Sequence, residues 1–337
     1  MVQFVSVENM IALIKDKGLE TLIVAIAQSI EDDFKRWDEF DKQPRIPAHS
    51  ENGVIELMPT FDSETYGFKY VNGHPLNRDL GKQTVTGFGV LADMETGYPF
   101  FLSEMTILTA MRTAAMSALA AKYLARSDSK TMAMIGTGCQ AEFQAHGFRA
   151  MLGITDLRIY DIDAQAMDKF EANMQGRGFT ITRCADTHEA VKRADIVTTC
   201  TADTGHAKIL SENMVGQGIH INAIGGDCSG KTELEKSILL KSDIFVEYPE
   251  QTWIEGEIQQ LDENHPITEL WEVFKGEKQG RINENQITVF DSVGFAIEDF
   301  SALRTVQSIT MDTDFAEDID LLALPDNSKN LFGILGG

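Results

Sequence analysis

The sequence predicts an α/β protein in two parts, a doubly wound parallel sheet and a second, α+β domain. Three observations carry this reading. From about Lys130 onward, short β-branched or apolar runs alternate with helical stretches, the pattern of βαβ units that feed a parallel sheet. The first of those runs ends in closely spaced glycines that open a helix. At 337 residues the chain also exceeds what one hydrophobic core usually organises. Two domains are therefore expected: residues 1–115 completed by a tail, 311–337, and residues 116–310.

The elements follow in order. An amphipathic pattern runs from Val7 to Phe34, and strand-like alternation follows at Val54 to Met58 and Gly67 to Val71. An apolar, Ala-rich helix from Thr106 to Ala125 joins the two parts. The strands expected of the parallel sheet are Thr131 to Gly136, Leu157 to Ile162, Phe179 to Arg183, Asp195 to Thr201, Ile219 to Ile224, Ile244 to Glu247 and Gln286 to Phe290. Helices are expected at Gln140 to Met151, Ala164 to Gly176 and Lys231 to Leu240, where apolar positions recur at helical spacing. The tail after about Met311 is expected to return to the first domain.

Charge excludes more than it identifies. With 29 basic against 52 acidic residues the net charge is -23, which repels nucleic acid and anionic membrane. No apolar run reaches the ~18 residues of a membrane span, and the opening MVQFVSVENM lacks the basic and apolar regions of a secretory signal. A cytoplasmic protein is expected. Cys139, Cys184, Cys200 and Cys228 form no CxxC pair and have no His at finger spacing, so neither a metal site nor a disulfide framework is indicated. Cys139 is expected to be a small buried neutral side chain at a helix start.

The most informative motif is Gly136-Thr137-Gly138-Cys139-Gln140-Ala141, directly after the strand TMAMI. Gly136 and Gly138 permit a tight turn and let backbone N–H groups approach a pyrophosphate; Ala141 is small enough for helix-to-strand packing. Asp161 ends the next strand, where a carboxylate bonds both ribose hydroxyls and repels a 2′-phosphate. A Rossmann-type domain that takes NAD rather than NADP is expected. Further on, the strand Ile219 to Ile224 runs into Gly225-Gly226-Asp227. At the carboxyl end of a parallel strand, Asp227 would project toward the nicotinamide; the alternative is that it caps a helix beginning near Lys231. In the first domain Arg45, Glu56, Lys69 and Arg112 are charges in apolar surroundings, and Arg with Lys suits a carboxylate. Arg112, the one charge on a long apolar helix face, needs an anionic partner, for which a substrate carboxylate or a cofactor phosphate would serve.

The runs GDCSGKTEL, FVEYPEQTWIEGEIQQL and TVFDSVGFAIEDFSALR resemble the ornithine cyclodeaminase and mu-crystallin family, at its cyclodeaminase branch, over nearly the whole chain. The resemblance implies conversion of L-ornithine to L-proline and ammonia, a deaminating lyase reaction in proline biosynthesis, with NAD used and regenerated within one turnover. It implies that Arg45, Lys69 and Arg112 hold the α-carboxylate, that Asp227 is the proton acceptor and donor, that Glu56 assists near the α-amino group, and that Val293 faces the substrate. Around NAD it places Thr84, Arg112, Cys139, Gln140, Asp161, Thr201, the stretch from Ile221 through Asn222 and Ala223 to Ile224, Lys231 and Ser292. It implies a homodimer built through the first domain, with Val54 to Met58 in a shared sheet. Trp253 stands where the family pattern has Arg, a loss expected to alter a surface or interface ion pair. The alternatives are a lysine cyclodeaminase, or an NAD-dependent amino-acid dehydrogenase or ketimine reductase of the same family.

Overall fold

The computed structural model describes residues 1–201, 208–226 and 228–336. Strand β1 (Val2–Val5) leads into α1 (Val7–Lys17), which Ser6 caps reciprocally with Asn9: Asn9 N–H donates to Ser6 Oγ at 3.2 Å and Ser6 N–H to Asn9 Oδ1 at 3.1 Å. The amphipathic run from Val7 to Phe34 is not one helix. Gly18, at a φ of 87°, ends α1, and α2 (Leu19–Lys35) starts afresh. Strands β2 (Ile46–Ser50), β3 (Gly53–Phe61), β4 (Thr65–Gly73), β5 (Val85–Asp93) and β6 (Pro99–Glu104) form an antiparallel meander. Strand β6 lies parallel to β1, and the tail strand Glu317–Ile319 pairs antiparallel with β1. Register decides which side chains share a face. Met58 lies opposite Lys69 and Glu56 opposite Val71 on one face; Leu57, Tyr70 and Phe88 line up on the other.

Helix α3 (Thr106–Leu124) then crosses to the second sheet, whose elements are β7 (Thr131–Ile135), α4 (Ala141–Leu152), β8 (Asp156–Tyr160), α5 (Ala164–Met174), β9 (Thr180–Arg183), α6 (Thr187–Val191), β10 (Ile196–Thr199), β11 (His220–Ala223), α7 (Lys236–Leu239), β12 (Asp243–Val246), α8 (Pro249–Glu255), β13 (Thr268–Glu269), α9 (Leu270–Phe274) and β14 (Thr288–Asp291). The strand order β13-β12-β14-β11-β10-β7-β8-β9 is parallel throughout. The chain leaves β7 toward β8 on one side and continues at β10 on the other, which opens a crevice at that switch point. All seven expected strands are present. The two-residue β13 was not anticipated, since so short a strand has no periodicity to read.

One helix is corrected. Of Lys231 to Leu240 only Lys236–Leu239 is helical, because the donors a helix would use go elsewhere: Glu233 N–H and Leu234 N–H donate to the Glu257 carboxylate at 2.6 and 3.1 Å, and Leu234 bridges to Leu210. With no helix starting at Lys231, the capping alternative for Asp227 falls; Asp227 itself lies outside the described residues. Trp253 packs half-buried against the core beneath β11, β12 and β14, so its role is apolar contact.

Helix α10 (Ala296–Thr310) follows β14 but packs back on the first layer. Ser301 Oγ donates to Asp33 Oδ2 on α2 at 2.7 Å, and Phe40 meets Phe300 edge-on at 5.3 Å. The largest hydrophobic core runs through α2, α3 and α10 and reaches Phe245 and Phe290 of the parallel sheet, so both sheets share one interior along a seam. Among the described residues no helix is long and apolar enough to cross a membrane.

Candidate active site

Because the second sheet is parallel, every strand delivers its carboxyl end to the same edge. There β7 gives Gly136, β8 gives Asp161, β10 gives Thr201, β11 gives Ile224, β12 gives Glu247 and β14 gives Ser292. Gly136 sits at a φ of 95°, and a Cβ there would lie 2.7 Å from the Cys200 carbonyl oxygen, so only glycine fits. Asp161 braces the turn: Thr137 N–H donates to its Oδ2 at 2.7 Å, and Asp163 N–H to its Oδ1 at 2.9 Å. Among the described residues, Gly138 has no atom within 4 Å of where a Cβ would stand, just ahead of α4, and Gln140 Oε1 is buried without a hydrogen-bond partner. Backbone donors at a helix start, open space before them and a carboxylate on the adjoining strand suit a dinucleotide. Cys139 is exposed rather than buried, with its Sγ 3.9 Å from Oε1 of Gln83, the neighbour of Thr84. The Thr84 segment therefore closes on the glycine turn.

Along the same edge, Ile221, Asn222 and Ala223 lie on the fully buried β11, and Asn222 Nδ2 donates to Thr198 Oγ1 and Gln144 Oε1, each at 3.3 Å. Thr201 donates its N–H to Glu233 Oε1 at 3.1 Å and its hydroxyl to the same oxygen, while its carbonyl accepts from Lys231 Nζ at 2.9 Å. A Cβ on Gly225 would meet the Glu233 carboxylate at 2.2 Å, and one on Gly226 would meet Glu257 Oε1 at 2.8 Å. The glycine pair thus lets two buried acids approach the backbone closely, and it leads straight to Asp227.

The first sheet meets this edge through charges. Asp299 Oδ1, at the start of α10, lies 2.8 Å from Lys69 Nζ and 3.0 Å from Arg112 Nε, and Arg112 Nη1 donates to Glu298 Oε2 at 2.7 Å. Arg45 pairs with Glu56 and Glu255, each at 3.1 Å, and its Nη2 donates to the carbonyls of Val293 and Gly294. All three cations are nearly inaccessible, so each depends on these partners. Within the folded chain the anionic partners of Arg112 are Glu298 and Asp299.

Burial governs the ionisation of this cluster. It pulls Lys69 down to about 8, with Arg112 adding to the effect and Asp299 opposing it. It raises Glu298 against the pull of Arg112, and Glu257 rises to about 7. Asp291, wholly buried and receiving Glu257 N–H and Ile258 N–H at 2.8 and 2.9 Å, is held well above the ordinary carboxylate range by burial and by Glu257.

The structure brings Arg45, Glu56, Lys69, Arg112 and Val293 together, and sets Gly136, Gly138, Cys139, Gln140, Asp161, Thr201, Lys231 and Ser292 along the adjoining edge. Sequence reasoning missed the acids that organise them: Glu247, Glu255, Glu257, Glu298 and Asp299. The run of acids within apolar stretches, as in FAIEDF, was the available signal.

A family model for the ornithine cyclodeaminase/mu-crystallin family matches residues 7–314. An ornithine cyclodeaminase from Agrobacterium tumefaciens (strain Ach5) is 60% identical over 99% of this chain and 94% of its own, and an alanine dehydrogenase from Archaeoglobus fulgidus is 36% identical over 78% of this chain and 82% of its own. Among solved structures, a lysine cyclodeaminase studied for its recognition of L-lysine, L-ornithine and L-2,4-diaminobutyric acid superposes with a TM-score of 0.91 at 28% identity, over 97% of this chain and 98% of its own. The Thermococcus litoralis Δ1-pyrroline-2-carboxylate reductase, solved with NADH and L-proline, gives 0.86 at 30% identity, over 95% and 100%. By the family model over residues 7–314 and the 60% identity across nearly the whole chain, the chain belongs to the ornithine cyclodeaminase/mu-crystallin family.

Proposed function

We propose that this chain is an ornithine cyclodeaminase, which converts L-ornithine to L-proline and ammonia with NAD as its cofactor. The observation that carries the reading is the seam: a three-cation cluster fit for a carboxylate stands directly on the Val293–Gly294 turn at the carboxyl edge of a dinucleotide-binding sheet. The 60% identity to an ornithine cyclodeaminase supports it. NAD held along that edge would supply reversible hydride acceptance at the substrate's α-carbon, with no net redox change over the turnover.

The remaining work falls to the chain. Backbone groups of Gly136, Gly138, Cys139 and Gln140 hold the pyrophosphate and Asp161 the ribose, while Thr84, Thr201, the stretch Ile221 to Ile224, Lys231 and Ser292 fix the rest of the dinucleotide. Arg45, Lys69 and Arg112 clamp the α-carboxylate, with Arg able to grip it in two-pronged fashion. Val293 lies against the substrate. Asp227 takes a proton from the δ-ammonium so that its nitrogen can attack the α-carbon, and Glu56 handles the proton of the departing α-amino group. Glu56, Glu255, Glu298 and Asp299 stand among the three cations, so the cluster presents no net positive charge against the ammonium groups of the substrate.

The first sheet with its tail strand, residues 1–115 and 311–337, is the substrate and dimer unit, and residues 116–310 the dinucleotide unit, with α10 reaching across. The enzyme acts as a cytoplasmic homodimer in proline formation. Supporting this, Ile46, Ile55, Leu57 and Phe88 lie exposed on the sheet face turned away from the site, and the cysteines form no disulfide among the described residues.

Purified protein given L-ornithine and substoichiometric NAD should release proline and ammonia in equal amounts while NADH absorbance stays flat. NADH rising in step with product would instead identify an amino-acid dehydrogenase. Since one methylene is worth only about 1 to 3 kcal/mol in a pocket, L-lysine belongs in the same assay.

A further inference from the structure

We propose that Glu247 is the positioning residue of this site: it fixes the Ser292–Val293–Gly294 turn against which both Arg45 and Arg112 rest. The inference deepens the functional reading above and rests on it for the identity of the substrate.

Glu247 follows β12 directly and is wholly buried beside β14, whose end continues into Ser292. Three donors of the turn converge on its carboxylate: Ser292 Oγ at 2.6 Å and Gly294 N–H at 3.3 Å on Oε1, and Val293 N–H at 3.4 Å on Oε2. Oε1, which takes two of the three donors, is the acceptor that fixes both ends of the turn. The other side of the turn faces the clamp. Carbonyls of Val293 and Gly294 accept from Arg45 Nη2, and Gln251 reinforces the pair by donating to Gly294 O at 2.7 Å while accepting Arg45 N–H at 3.1 Å. Gly294 has a φ of 77°, and a Cβ there would lie 2.6 Å from Arg112 Nη1, so the turn is also seated on the second guanidinium. Through this turn Glu247 sets the placement of two carboxylate-binding groups, whose side chains donate to Glu56 and Glu298.

Two variants separate position from charge. Glu247→Asp keeps the charge but withdraws the acceptors by one methylene. Glu247→Gln keeps the length and the Oε1 acceptor used by Ser292 and Gly294. In the NAD-loaded enzyme, Glu247→Asp should raise the ornithine KM by about 10- to 100-fold, the scale of an ångström-level misplacement, while Glu247→Gln stays within about threefold of wild type. NAD affinity, followed by nucleotide titration, should fall less than ornithine affinity in Glu247→Asp, because of the turn only Ser292 is assigned to the dinucleotide. The reverse ranking, two equally impaired variants, an unaltered KM in Glu247→Asp, or NAD affinity falling in parallel with ornithine would overturn the proposal. Binding of pentanoate, a carboxylate without amines, is measured alongside and should show the same ranking. A wild type that binds pentanoate but makes no proline sinks the functional reading, and the positional claim is still decided by that ranking.

Discussion

Lys69 shares Asp299 with Arg112 away from the protein surface, and that arrangement sets how the carboxylate clamp responds to pH. Burial has brought its ammonium down to about 8, so it is charged below that pH and neutral above it. Affinity for pentanoate, whose own charge is constant through this range, should therefore hold below pH 8 and weaken above it. Calorimetric titration from pH 6.5 to 9.5 checks this; a flat profile would contradict the role given to Lys69. Arg45, Glu56, Lys69 and Arg112 were legible in the sequence as charges set in apolar runs. Their partners were not: Asp299 lies 230 positions from Lys69, and no local pattern reports a contact of that range.

At the scale of elements, the first turn of α10 is where the two sheets are tied electrostatically. Asp299→Asn leaves Lys69 buried without its counter-charge and should destabilise the fold by about 3–5 kcal/mol, read as a lowered denaturant midpoint. Pairing Lys69→Met with Asp299→Leu removes both charges and should recover most of that loss while leaving the enzyme inactive; an active double variant would contradict the clamp. The parallel strands were legible because each is a short buried run between helical stretches, and the glycine turn because its spacing has a mechanical reason. Lys231 to Glu235 misled because its apolar spacing is helical while its backbone donors are captured by Glu257, a residue more than twenty positions on. Gly18 hid a helix break inside one amphipathic pattern, since a glycine within a periodic run reads as tolerated.

For the whole molecule, alternation along β2 to β5 divides the first sheet into a face that holds the charges and a face that holds exposed Ile46, Ile55, Leu57 and Phe88. The dimer proposed on that outer face should run at twice the 37.4 kDa chain mass in light scattering. Leu57→Asp combined with Phe88→Asp should shift it to monomer; a double variant still at dimer mass would place the interface elsewhere. Fold class and cofactor were open to sequence reasoning because they rest on backbone periodicity and one short motif. The joining of the clamp to the sheet edge required the fold, since β3, β4, α3 and α10 converge there from all parts of the chain.

The central claim is that one hydride leaves the α-carbon and comes back to it within a single turnover. L-ornithine carrying deuterium at C2 tests it most directly, with catalytic NAD and the proline examined by mass spectrometry and NMR. Deuterium retained at C2 of proline, with no labelled NADH accumulating, is the predicted result. Loss of the label to solvent, or its appearance in accumulated NADH, would contradict an internal return of hydride and leave an ordinary dehydrogenase or a different lyase chemistry in its place.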